Sequence, residues 1–193
     1  MNSTYSTFRM MARHEREGKD FRIRTVLRPS NCLVMAPHGG KIELVTAEIA
    51  EAIAAGDHSF YTLEGLKPSG NDSLHLASHC FDEPRALHAI RRADVVLAVH
   101  GQNDARECYV MIGGLDAGLA GSVRRCLARA GFQVRAPTAG LRGVHPANIC
   151  NRGRAGRGIQ LEISRGLREA LRRDATQFKA FAAAVRQAVA PGS

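Results

Sequence analysis

The sequence contains no tryptophan, and aromatic residues make up only 5% of its 193 positions. Its core therefore has to be built from Val, Ile, Leu and Ala. Apolar residues reach 45%, the level of one globular α/β domain rather than of a disordered or fibrous chain. The five cysteines, Cys32, Cys80, Cys108, Cys126 and Cys150, are odd in number and far apart, with no C-x-x-C pair. That spacing argues against a disulfide framework. No apolar run approaches the roughly 18 residues of a membrane helix, and MNSTYSTFRMMARHEREGKDF lacks the apolar centre of a secretory signal. The expectation is a cytoplasmic protein with no membrane attachment. No shift in composition marks a boundary, so residues 1–193 read as a single domain, monomeric on size, with 1–20 a short helix or a loose N-terminal arm.

Acidic residues are also in short supply: 18 Asp and Glu stand against 27 Lys and Arg, a formal net charge of +9. Such a surface attracts polyanions without choosing between nucleic acid, an anionic membrane and an acidic polymer. The motifs that would choose nucleic acid are missing. There is no helix-turn-helix spacing, zinc finger or aromatic RNP-like segment, so nucleic-acid binding rests on charge alone. Gly153, Gly156 and Gly158 precede a strand rather than joining a strand to a helix, and no G-K-[ST] occurs, which excludes a nucleotide-binding loop.

What the chain does have is strands alternating with helices. FRIRTVL, the apolar run Cys32–Ala36 halted at Pro37, HSFYTLEG, LHLAS, DVVLAVHG, CYVMIGG, FQVRAP and GIQLEIS read as strands. Helices are expected from Thr46 as N-cap to Gly56, from Pro84 over DEPRALHAIRRA, over LAGSVRRCLARAG, and over one or two C-terminal stretches. This order predicts a single-domain α/β fold, a mainly parallel or mixed central sheet with helices on both faces. Residues 138–158 read as a long functional loop.

Two apolar strands run directly into histidine followed by glycine: LVMAP into His38 and DVVLAV into His100. Ligand sites in open parallel sheets form outside the carboxyl ends of the strands, so these two histidines are predicted to meet. Glu43, five residues after His38 across Gly39 and Gly40, can fold back beside the imidazole. Two His and one carboxylate make the ligand set of a hydrolytic zinc site with an open position. Glu162, between Leu161 and Ile163 in a late strand, faces away from those apolar neighbours and suits a general base. Blander roles remain open: His38 and His100 as edge histidines, Glu43 as a carboxylate at a helix N-terminus, Glu162 paired with Arg165 or Arg168. His75, His79 and His88 complete no tetrahedral set and are not read as ligands.

The segments APHGGKIE, LHLASHCFDEPRAL, VLAVHG and NICNRGRAGRGIQLEISRGLR, in this order from residue 36 to residue 168, resemble the poly-gamma-glutamate hydrolase family of bacteriophages and bacteria. The resemblance implies a compact carboxypeptidase-like fold, one zinc ion, and hydrolysis of gamma-glutamyl amide bonds. It implies His38, Glu43 and His100 as zinc ligands and Glu162 as the catalytic carboxylate. Poly-gamma-glutamate carries a carboxylate on every unit, and guanidinium groups bind carboxylates as a bidentate fork. Arg152, Arg154 and Arg157 in the glycine-rich loop, with Arg165 after the catalytic strand, are therefore the expected substrate clamps. The alternatives are a related zinc amidohydrolase or carboxypeptidase acting on small N-acyl or gamma-glutamyl compounds, and a basic nucleic-acid-binding phage protein.

Overall fold

The computed structural model describes residues 4–190. Its seven strands are β1 (Phe21–Val26), β2 (Cys32–Gly40), β3 (Ser59–Gly65), β4 (Val95–Gln102), β5 (Val110–Gly114), β6 (Val134–Arg135) and β7 (Ile159–Ser164). They form one sheet in the order β1-β3-β2-β4-β7-β5-β6. The four central strands, β3, β2, β4 and β7, run parallel, while β1 and β5 are antiparallel to their inner neighbours. The sheet is thus mixed, with a parallel centre.

Helices cover both faces. Alternate residues of β2 and β4 (Val34, Ala36, Leu97, Val99) pack with buried residues of α2 (Thr46–Ala54), α4 (Ala117–Arg129), α5 (Arg165–Arg173) and α6 (Ala175–Val189). The other parity (Leu33, Met35, Val96, Ala98) packs with α1 (Phe8–His14) and α3 (Pro84–Arg92). Residues 8–14 are therefore a docked helix, with Met11 fully buried and the Phe8 amide donating to Asp82 Oδ1 at 2.5 Å. Among the described residues no helix is long and apolar enough to cross a membrane.

Several expectations from the sequence need correction. LHLAS is not a strand: a 3-10 turn spans Asn71–Leu74 and the chain then runs irregularly. Thr46 is the first residue of α2 rather than its cap. The cap is Val45, held at φ 75, and Thr46 Oγ1 donates instead to the Glu43 carbonyl at 2.7 Å. The FQVRAP strand shrinks to two residues. Strand β2 does not stop at Pro37 but continues through it, and the way it does so sets up the site.

Between Ala36 and Gly39 the register against β3 shifts: Ala36 pairs with Thr62 and Gly39 with Glu64, so three steps on β2 match two on β3. This is a one-residue bulge, where a proline without an amide hydrogen is tolerated in an interior strand. Strict alternation would put His38 on the same face as Val34 and Ala36, under α2. The extra residue turns it to the opposite face. That is the face of His100, which pairs directly with Glu162 on β7.

Candidate metal centre and active-site cleft

Three strand ends and one turn assemble the site. His38 is carried by the bulge in β2, His100 by β4 and Glu162 by β7, all towards the carboxyl ends of parallel strands. The His38-Gly39-Gly40 turn brings Glu43 back: Gly40 takes a left-handed φ of 62, and the Glu43 amide donates to the His38 carbonyl at 2.9 Å. All four side chains are buried, with 1–9% of each residue exposed.

The protonation pattern follows from the partners. His38 Nε2 lies 2.7 Å from the Leu76 carbonyl, which can only accept, so Nε2 carries the proton and Nδ1 presents a bare lone pair. That nitrogen faces Glu43 Oε1 at 3.2 Å and His100 Nδ1 at 3.2 Å. Glu43 Oε2 accepts from the Gly101 amide at 2.7 Å and lies 3.9 Å from His100 Nδ1. Burial opposes charge on Glu43, yet the imidazoles around it, His38 foremost and then His75 and His100, outweigh it when they carry protons and hold the carboxyl well below the usual range. Burial pushes His100 down to about 3 against the pull of Glu43, so its ring is neutral at pH 7. Its Nε2, 3.4 Å from Ser78 Oγ, can give its proton to that hydroxyl and leave Nδ1 bare as well. Two imidazole lone pairs and an ionised carboxylate converging at such distances is the donor chemistry of a cation site.

His75, set aside on sequence grounds, enters the site. Its Nε2 is 3.6 Å from Glu43 Oε1, its ring stacks on His38 with centroids 3.9 Å apart, and its buried Nδ1 has no hydrogen-bond partner. His38, Glu43 and His75 also bring ligand atoms within 4.8 Å of one another. His100 and His75 meet the His38 ring in different ways. Lone pairs lie in the ring plane, and the planes of His38 and His75 run side by side at 27°, whereas that of His100 is tilted by 52° and its Nδ1 lies 3.2 Å from that of His38. His75 walls the site and backs Glu43.

Glu162 stands across the same cleft, of about 320 Å³. Burial and the charge on Glu43 push its pKa up to about 8, against the pull of Arg168. Two residues that the sequence reading did not single out fix its position. Gln160 Nε2 donates to Glu162 Oε1 at 2.9 Å and to the Leu141 carbonyl at 3.1 Å, while Asn148 Nδ2 donates to Gln160 Oε1 at 2.9 Å. Gln160 was findable: two residues before Glu162 in one strand, it shares its face. The 138–158 loop does contribute here, through Asn148 and the wall at Gly140, Leu141 and Gly143.

The arginines divide differently from the expectation. Because β7 runs parallel to β4, the stretch immediately before it, residues 152–158, lies at the amino edge of the sheet, away from the site. Arg152 Nη1 donates to the Phe81 carbonyl at 2.7 Å, Arg154 pairs with Asp94 just before β4, and Arg157 lies 3.5 Å from Asp116. None of the three lines the cleft. Arg165, on the carboxyl side of β7, lies at the site edge and pairs with Glu169. Arg168 is buried and donates to the carbonyls of Leu44 (2.5 Å), Gln102 (3.2 Å) and Ile163 (3.2 Å). Its guanidinium fits only because residue 101 is glycine: a Cβ there would lie 2.6 Å from Arg168 Cζ.

Comparison with known proteins bears on this arrangement. The UPF0714 protein YmaC of Bacillus subtilis (strain 168) is 38% identical over 170 residues, which cover 86% of this chain and 71% of YmaC. The chain spans 66% and 58% of the length of two further relatives from that strain. The structure of a bacteriophage poly-gamma-glutamate hydrolase superposes with a TM-score of 0.92 at 29% identity, covering 97% of this chain and 96% of that one. The zinc-free form of YndL superposes with a TM-score of 0.89 at 31% identity, covering 97% and 98%. Residues 5–186 match the poly-gamma-glutamate hydrolase family, and with fold and relatives in agreement the chain belongs to that family.

Proposed function

We propose that this chain is a zinc-dependent hydrolase that cleaves the gamma-glutamyl amide bonds of poly-gamma-glutamate, acting as a single catalytic domain. Family membership and the likeness to the bacteriophage hydrolase support the substrate. The observation that carries the chemistry is the convergence of His38 Nδ1, His100 Nδ1 and the Glu43 carboxylate opposite Glu162.

The donor set suits zinc. Ligand bonds of 2.0–2.1 Å at a tetrahedral angle separate donor atoms by about 3.3 Å, close to the 3.2 to 3.9 Å found among these three side chains. His38, Glu43 and His100 would hold the ion, and a zinc so held supplies Lewis acidity for an amide carbonyl and a nucleophile from water near neutral pH. The remaining work falls to the protein. Glu162 takes the proton of the attacking water and delivers it to the departing amine, general base first and general acid second. Gln160 holds the carboxylate oxygen for both transfers. The Leu76 carbonyl, which accepts from His38 Nε2, and the Gly101 amide, which donates to Glu43 Oε2, keep the His38 ring and the Glu43 carboxylate aimed inward.

Metal content and depolymerisation of poly-gamma-glutamate, with and without a chelator, test the reading on wild type and Glu162→Gln. One zinc per chain, and cleavage lost on chelation and in the variant, is the expected result. Absence of zinc after reconstitution, or cleavage indifferent to the chelator, refutes it.

A further inference from the structure

Among the described residues, no lysine or arginine lines the cleft over His38, Glu43 and His100. A substrate with a carboxylate on every unit finds no countercharge there beyond the metal. A second cleft of about 200 Å³ adjoins the first, and Glu43 and Asn103 belong to the walls of both. Four cations line it: Lys41, Arg165, Arg168 and Arg172.

Their existing commitments differ. Arg168 is spent on three backbone carbonyls, and Lys41 Nζ lies 3.2 and 3.3 Å from the carbonyls of Lys67 and Leu66. Arg165 shares Glu169 with Arg173 and keeps 56% of its side chain exposed. Arg172 is exposed and has no hydrogen bond or ion pair among the described residues. Arg165 and Arg172 are seven positions apart on α5, hence on one face and about 10.5 Å apart along the axis. A gamma-linked glutamyl unit has two more chain atoms than an α-linked residue and extends roughly 6 Å. Two units therefore match the spacing of the two arginine positions along the helix.

We propose that this second cleft is a carboxylate subsite in which Arg165 and Arg172 hold free carboxylates of the acidic polymer, two units apart, beside the scissile amide. The inference rests on the substrate reading above. It makes chain length, and not only linkage, a determinant of binding. The guanidinium groups act on the bound polymer and not on the reacting atoms, so their removal weakens association and leaves turnover alone.

The test compares wild type, the Arg165→Ala/Arg172→Ala double variant and the corresponding double lysine variant. Affinity of the metal-free proteins for long poly-gamma-glutamate is read by titration calorimetry. Then kcat and KM of the zinc-loaded proteins are read on the long polymer and on a gamma-glutamyl dimer. Removing both exposed guanidinium–carboxylate pairs at once is expected to raise Kd and KM for the polymer about tenfold, with kcat and dimer hydrolysis unchanged and binding partly restored by lysine. Unchanged Kd and KM for the polymer in the alanine variant overturn the subsite, as does an equal loss on polymer and dimer. A wild type that neither binds nor cleaves the polymer refutes the substrate reading itself, and the subsite with it.

Discussion

Glu162→Gln separates the stability of this protein from its activity, because the carboxyl is held where ionisation is costly. Burial and the Glu43 charge push its pKa from 4.5 up to about 8 in the metal-free site. A carboxyl that binds its proton more tightly when folded than when unfolded contributes fully below pH 4.5, and that contribution is lost as pH rises towards 8. At about 1.4 kcal/mol per pH unit, the loss reaches about 3 kcal/mol at pH 7 and nearly 5 above pH 8. Glutamine has the same shape, keeps an oxygen for the Gln160 amide and cannot ionise. The variant is therefore expected to match wild type near pH 4.5 and to exceed it by a few kcal/mol at pH 8. Urea denaturation of chelator-treated protein at several pH values, with wild type and variant in parallel, measures the difference. Saturating zinc should narrow the gap, since a nearby cation supports the ionised carboxylate. A stability difference that does not change with pH, or a variant less stable than wild type at pH 8, refutes the reasoning.

Other expectations concern the neighbours of Glu162 and the proposed metal ligands. His100→Ala should abolish stoichiometric zinc, whereas His75→Ala should retain it with affinity reduced about 10- to 100-fold; chelator competition distinguishes the two. Gln160→Leu strands Asn148 Nδ2 and the Leu141 carbonyl, costing about 1–3 kcal/mol by chemical denaturation, and lowers kcat with zinc content intact. Gly101→Ala forces a methyl against the Arg168 guanidinium, at about 1–3 kcal/mol in the same assay. Ile53→Ala, fully buried in α2, should lose about 2–5 kcal/mol with no change in metal affinity.

The parallel centre of the sheet and the meeting of His38, Glu43, His100 and Glu162 in one cleft were legible because both depend on where apolar runs end. LVMAP and DVVLAV deliver their histidines to one edge whatever the details of pairing. The sequence could not carry the side of the sheet on which His38 falls. Alternation alone points that ring under α2, and only the register shift at Pro37, a tertiary event, turns it towards His100. His75 sits in an irregular stretch with no periodicity to place it. Arg152 and Arg157 were assigned by loop composition, whereas the parallel direction of β7 decides which edge the residues just before that strand occupy. Thr46 looked like a cap, but its hydroxyl is taken by the Glu43 carbonyl, leaving Val45 in a conformation costly for a β-branched residue.

Arg168 makes the order of assembly of this molecule legible. The carbonyls it gathers belong to residues 44, 102 and 163, and the first of these lies 124 positions away along the chain. Each neighbours a member of the site: Glu43 precedes Leu44, His100 stands two before Gln102, and Glu162 precedes Ile163. A growing chain that has only reached β4 already holds all three proposed metal ligands but lacks the cation that ties their segments together. Contacts of such long sequence separation form late, so tight metal capture is expected to wait for α5, and ion uptake during refolding can serve as a clock for the last step rather than as its trigger.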